Sequence, residues 1–184
     1  MGSWDRGLDL EATLRKLLEY RRFVRGRVLR PRYRASLRDV NILILALVNG
    51  LRISEAIECY YMWLESNGAQ YSFNVKLAKS RGRFRLCLVP SIFDKVDLAA
   101  TKNLPKPRKQ ALNNFSRRNF GFNTHSLRYA FINYLLSKGV DVPLVSKIVG
   151  HKNLDTILSY IQSKRAHETL ESIQKLLGRL DKKA

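Results

Sequence analysis

Between positions 8 and 25 the apolar residues Leu10, Leu14, Leu17, Leu18 and Val24 recur at helical spacing, while Arg15, Lys16, Arg21, Arg22 and Arg25 fill the other faces. The pattern predicts a basic amphipathic helix. Arg27, Arg30, Arg32 and Arg34 then surround Pro31 with little periodicity, so an extended basic segment is expected over 27–34. Ser36 with Asp39 reads as a capping box ahead of the run Val40 to Val48, which is apolar nearly all round and therefore predicts a buried helix ending at Gly50. A further helix is expected from about Ser54, with Glu55 and Glu58 toward its positive end, to Ser66 before the turn Asn67-Gly68. Tyr71 to Lys79 and Phe84 to Val89 alternate apolar with polar or basic residues across Ser80-Arg81-Gly82-Arg83, the pattern of a β-hairpin. Ser91 and Asp94 cap a short helix, and 101–109 is a Pro- and Lys-rich exposed connection. In the last third Gly121, Gly139, Gly150 and Gly178 each follow an apolar-periodic run, as helix terminators do, so four or five short helices fit there. The expected fold class is mainly α with one small β-hairpin, an α+β arrangement.

Composition sharpens this picture. A chain of 184 residues suits one ordinary domain, and its 45% hydrophobic content is enough to bury a core. Lys and Arg number 34 against 15 Asp and Glu, a net charge of +19 that calls for a polyanionic partner, nucleic acid first. The longest apolar run falls far short of the roughly 20 residues of a membrane span, and no signal-peptide pattern opens the chain, so no membrane partner is expected. Cys59 and Cys87 have no His or Cys at zinc-ligand spacing and read as reduced core thiols of an intracellular protein. Met1-Gly2-Ser3 reads as a residual tag.

The candidate chemistry lies in four places. Arg52 follows Gly50-Leu51 at a helix start; His125 and Arg128, three apart in Thr124-His125-Ser126-Leu127-Arg128, share one helix face; Gly150-His151 is followed nine residues later by Tyr160. Singly each is ordinary. Together, Gly50-Leu51-Arg52-Ile53-Ser54-Glu55, His125-x-x-Arg128, Gly150-His151 and Tyr160 resemble the active-site pattern of the tyrosine recombinases of the phage-integrase family, over about residues 36–163.

That resemblance implies the family's catalytic-domain fold over 36–184, preceded by a basic linker or helix over 1–35 and ending in a tail helix at about 166–180. It implies that Tyr160 attacks a DNA phosphate to give a 3′-phosphotyrosine, that Arg52 and Arg128 fork onto the non-bridging oxygens, and that His125 acts as general base or phosphate donor with His151 as a second donor. The family's acid for the 5′ oxygen is a hairpin lysine. Lys79, beside the turn, is preferred here, with Lys76 as the alternative, and Glu55 is expected to orient Arg52 rather than react. Flanking phosphates are assigned to Arg21, Arg22, Arg30, Arg32, Arg34, Lys76, Arg81, Arg83, Lys106 and Lys109. No metal or other cofactor is expected. The implied partner is double-stranded DNA, bound by a homo-oligomer, a tetramer on DNA and a monomer when free, inside a prokaryotic host. Tyr129 stands where the family often has His, and the amino-terminal domain that usually clasps the DNA has no room in this chain, which points to a catalytic fragment or a minimal member.

The implied activity is that of an integrase of a mobile element or of a chromosome-dimer resolvase. Three other readings predict different outcomes, one of them an RNA-binding or ribosomal protein explained by charge alone, with the spacing of His125, Arg128, His151 and Tyr160 a coincidence. A type IB topoisomerase shares the chemistry. A non-catalytic helix-turn-helix module, built from Asp141 to Val149, Gly150 and Asn153 to Ile161, would make Arg52 and Tyr160 structural.

Overall fold

A computed structural model of the chain describes residues 7–77 and 82–150. Seven helices and one hairpin follow in order: α1 (Leu10–Arg25), α2 (Pro31–Asn49), α3 (Ile53–Glu65), β1 (Ser72–Lys76), β2 (Phe84–Leu88), α4 (Lys95–Thr101), α5 (Lys109–Phe120), α6 (Thr124–Ser137) and α7 (Val142–Val149). Lys79, Arg81, His151, Tyr160 and the expected tail helix lie outside the described residues.

The organising element is α2. From Val40 to Leu47 every side chain is buried, so this stretch needs neighbours on all sides, and α1, α3, α4, α5 and α6 all pack against it. The helix begins earlier than its apolar run suggests. Pro31 occupies the first turn, where a missing N–H costs nothing and a fixed φ favours the helix. The arginine-rich stretch expected to be extended is therefore divided: Arg30 is the N-cap, and Arg32 and Arg34 are helical. Ser36 and Asp39 lie inside α2 rather than capping it, and the Ser36 hydroxyl donates back to the Arg32 carbonyl.

α1 packs along α2 through Leu17 and Val24, both fully buried, and is capped by Asp9, whose carboxylate accepts from the Ala12 amide at 2.7 Å. Arg21, expected on a DNA-facing surface, is instead 5% exposed. Its position on α1 faces α2, so it is held inside by Asp97 at 2.7 Å, by the Asn41 side-chain oxygen at 3.0 Å and by the Ile92 carbonyl at 2.6 Å. Asn41 donates on to Asp97 at 2.9 Å, and the Tyr60 hydroxyl sits 2.9 Å from Thr101 Oγ1. Burial pushes the Asp97 carboxyl upward, with Asn41 and Arg21 opposing that shift. Around Tyr60 the rings of Tyr61, Trp63 and Phe93 close the same end of the core at centroid distances of 5.6 to 6.0 Å.

The hairpin is antiparallel, with Phe73 opposite Cys87, Val75 opposite Arg85 and Lys76 opposite Phe84. β1 turns Phe73 and Val75 inward. Residues directly opposite share a face, so the register places Cys87 and Arg85 inside and leaves Phe84, Leu86 and Leu88 more than half exposed. Hydropathy alone would turn β2 the other way. The cysteines overturn the expectation of free thiols: Cys59 of α3 and Cys87 of β2, inward positions on facing elements with Cα atoms 6.9 Å apart, are joined as a disulfide. Their separation of 28 residues carries no signal of this pairing.

No single helix among the described residues is long and apolar enough to cross a membrane, and the apolar pair α2 and α3 is bent by 113° where the two meet. Asp97→Ala should cost about 3–5 kcal/mol in urea denaturation, because it strands Arg21 inside the core. Arg22→Ala, at an exposed position on the same helix, should stay within about 0.5 kcal/mol of the parent.

Candidate active site

The site is built where two helices end. α2 and α7 both terminate in a left-handed glycine, Gly50 at φ 59° and Gly150 at φ 63°, and the next residues along the chain include Arg52 and His151. Glycine is required for more than the dihedral. A Cβ on Gly50 would lie 2.4 Å from Cδ1 of Phe131, and one on Gly150 would lie 2.7 Å from Cδ2 of Leu77. The first glycine lets α2 run against α6; the second lets α7 run against the hairpin.

Helix ends leave carbonyls without intrahelical partners, and here they face arginines. Arg128, on the second turn of α6, donates from Nη1 to the Gly50 carbonyl and from Nη2 to the Val149 carbonyl, each at 2.8 Å. α6 starts where it does because the Asn123 side chain accepts from the His125 and Ser126 amides, each at 3.0 Å. Arg52 is the N-cap of α3, and Glu55 answers it twice: Oε2 accepts the Arg52 amide at 3.0 Å, and Oε1 lies 3.1 Å from Nη1. Glu55 thus holds Arg52, as its position in the motif suggests. The same carboxylate, 1% exposed, stands 3.9 Å from Arg128 and 3.8 Å from a third arginine, Arg85 of β2.

Three guanidiniums around one carboxylate leave two net positive charges in a place where two of the arginine side chains, Arg85 and Arg128, are only 4% and 3% exposed. Burial, and the neighbouring arginines, push Arg128 down to about 10, and burial does the same to Arg85. Both remain cations at neutral pH. Arg128 spends two of its five N–H donors on carbonyls, and Arg52, with its side chain 18% exposed, is the member of the group open to solvent. Such a cluster can take one tetrahedral dianion or an anion whose charge grows along a reaction.

Comparison with known proteins gives the family. No family model matches the chain, and no solved structure does. Over 174 residues, 94% of this chain and 69% of the other, it is 33% identical to "Putative integrase ORF241" of Acidianus two-tailed virus. Over 158 residues, 71% of this chain and 69% of the other, it is 34% identical to "Putative integrase V10" of Sputnik virophage. The chain belongs to the integrase family of tyrosine recombinases. Tyrosine recombinase XerA of Pyrococcus horikoshii is a more distant relative, 26% identical over 170 residues that cover 78% of this chain and 58% of the other. The mainly helical body with one small antiparallel hairpin is the catalytic-domain fold of this recombinase family.

Within this recombinase the structure brings Arg52, Glu55 and Arg128 together. His125 is exposed, one turn before Arg128 on α6, with its ring 4.9 Å from that of Tyr129 in an edge-on arrangement. Tyr129 therefore packs against a candidate site residue. Lys76 is exposed at the end of β1. Arg22, Arg30, Arg32, Arg34, Arg83, Lys106 and Lys109 are exposed. Several are already engaged: Arg34 donates to the Val28 carbonyl at 2.8 Å, Arg32 lies over the Tyr33 ring at 4.7 Å, and Lys106 lies over the Tyr61 ring at 5.3 Å. Arg85 escaped the sequence reading because a basic residue between Phe84 and Leu86 looks like the solvent face of a strand. Among the described residues no group of three His, Cys, Asp or Glu could hold a metal ion.

The two kinds of glycine should separate on substitution. Gly139, at φ 82° with nothing among the described residues near its Cβ position, should cost about 1 kcal/mol as Gly139→Ala. Gly50→Ala, which adds a ring clash to the same dihedral penalty, should cost about 1–3 kcal/mol more in thermal or urea denaturation.

Proposed function

We propose that this tyrosine recombinase cuts and rejoins duplex DNA through a 3′-phosphotyrosine intermediate, as an integrase acting in a tetramer on DNA. The observation that carries the reading is the buried group of Arg52, Arg128 and Glu55 at the joined ends of α2 and α7. Burying like charges costs stability, and that expense is explained by an anionic reacting group that needs a prepared positive field.

Under this reading the Tyr160 phenol oxygen attacks the scissile phosphorus. The P–O5′ bond breaks, the phosphate stays covalently on Tyr160, and a 5′-hydroxyl leaves. The free phenol titrates near 10, so its proton must depart during attack, to His125 or to water, and the field of Arg52 and Arg128 favours the phenolate. Those two arginines bind the non-bridging oxygens as charge accumulates on them. His151 donates a further hydrogen bond. A hairpin lysine, Lys79 before Lys76, protonates the departing 5′ oxygen. Rejoining is the reverse, with a 5′-hydroxyl attacking the phosphotyrosine. The exposed arginines at the start of α2, with Arg22, Arg83, Lys106 and Lys109, hold flanking phosphates and supply affinity without chemistry.

The helix-turn-helix reading accounts for the basic surface but gives the arginine–carboxylate group no purpose. A nicked suicide substrate decides between them. A covalent protein–DNA adduct should form in the presence of EDTA and disappear in Tyr160→Phe. Arg128→Ala should slow adduct formation by about 100- to 1000-fold, the loss typical of one prepared donor to a developing oxyanion, with DNA still bound. Cutting by Tyr160→Phe at the parent rate would overturn the reading. Arg30→Ala with Arg32→Ala should instead weaken binding to all sequences and flatten the dependence of affinity on salt by about one charge per substitution.

A further inference from the structure

Arg85 lies where a strand ordinarily places an apolar side chain. It is 6% exposed, on the inward face of β2 between Val75 across the hairpin and the disulfide-bonded Cys87. Its contacts run to the site's backbone: Nη1 donates to the Gly50 carbonyl at 3.2 Å and the Val149 carbonyl at 3.0 Å, and Nη2 donates to the Asn49 carbonyl. Gly50 and Val149 are the carbonyls that Arg128 also binds. The ends of α2 and α7 are therefore held from two sides, by α6 through Arg128 and by the hairpin through Arg85. A second contact supports the hairpin side, since Leu77, whose amide donates to the Arg83 carbonyl at 2.9 Å, fills the space beside Gly150.

We propose that Arg85 is a positioning residue that fixes the β-hairpin, the element expected to supply the acid for the leaving oxygen, against the backbone corner where α2 and α7 end beside Arg52. The inference rests on the recombinase reading and deepens it. Arginine suits this post because its planar fork reaches carbonyls of two helices at once, which a single ammonium cannot do. Helix C-termini carry partial negative charge, so a cation there is favoured even when buried. Among the described residues the Nε of Arg85 has no hydrogen-bond partner.

Because the role acts through the leaving-group acid, it has a signature that general loosening lacks. A 5′-bridging sulfur departs as a thiolate, with an acidity near that of cysteine at about 8.5, whereas an alkoxide is far more basic, so only the oxygen substrate needs the acid. Arg85→Lys, which keeps the charge and loses the fork, should form the Tyr160 adduct about 100-fold more slowly on the oxygen substrate. On the sulfur substrate it should regain the parent rate, with DNA affinity unchanged. Lys79→Ala should show the same rescue, or Lys76→Ala if that lysine is the acid, and Arg52→Ala should show none. Leu77→Ala removes the other hairpin contact and keeps the test open if Arg85→Lys does not fold; it too should be rescued by sulfur. Equal slowing on both substrates, or no slowing on either, overturns the positioning role. An unsubstituted protein that forms no adduct on either substrate overturns the recombinase reading itself.

Discussion

The constraint on which this structure turns is the repulsion among Arg52, Arg85 and Arg128. Three guanidiniums converge on one carboxylate, Glu55, at 3.1, 3.8 and 3.9 Å, and one carboxylate cannot neutralise three cations. The remainder is met by backbone carbonyls at the ends of α2 and α7, whose partial negative charge is in place because those helices stop there. The two terminating glycines are thus part of the electrostatics. A helix that continued past residue 50 or 150 would consume the carbonyls that the arginines need, and a side chain at either glycine would push away the element that delivers an arginine, α6 at Gly50 and the hairpin at Gly150.

This constraint also explains why the core is arranged around α2. A helix buried from Val40 to Leu47 has its axis fixed by neighbours on all sides, so the position of its last carbonyls is fixed as well. α3 begins three residues beyond Gly50, with Arg52 as its N-cap. The turn between α2 and α3 is therefore short, tethered at one end to the buried helix α2 and at the other to Glu55. A prepared phosphate clamp needs such rigidity, because donors that must reorganise around a developing charge lose much of their advantage.

What was legible in the sequence follows from how local each signal is. The α1 periodicity, the apolar run of α2, the terminating glycines and the hairpin are all set by residues within a few positions of one another, and these elements are present. The start of α2 lies earlier than its local signal because Ser36 and Asp39 satisfy a capping pattern that Pro31, five residues earlier, makes unnecessary. The pairing of Arg52 with Glu55 was legible because it spans one helical turn. The burial of Arg21, the disulfide of Cys59 with Cys87 and the inward turn of Arg85 were not, because each depends on a partner at a sequence distance of 76, 28 or up to 64 residues. The orientation of β2 shows the physical point most clearly. Strand facing is decided by register with β1, and Val75 inside forces Arg85 inside, whatever the hydropathy of Phe84 and Leu86 suggests.

The net charge of +19 also means something different once the buried pairs are placed. Asp97 and Glu55 are two of only 15 acidic residues, and both are spent inside, on Arg21 and on the arginine cluster. Asp39 is largely spent on Arg38, 2.6 Å away and itself turned toward the Pro105 carbonyl. The Arg21–Asp97 and Arg38–Asp39 pairs are neutral and the Glu55 group keeps two positive charges inside, yet each withdraws a carboxylate from the surface, where that carboxylate would have screened neighbouring cations. The exposed arginines and lysines therefore face solvent with fewer counter-charges within a Debye length of about 8–10 Å than the composition implies. The same buried ion pairs that fix the fold make the outer surface more uniformly positive, and the positive field that attracts a polyanion from a distance and the one that polarises a single phosphate at the site are two results of where the few acidic residues were placed.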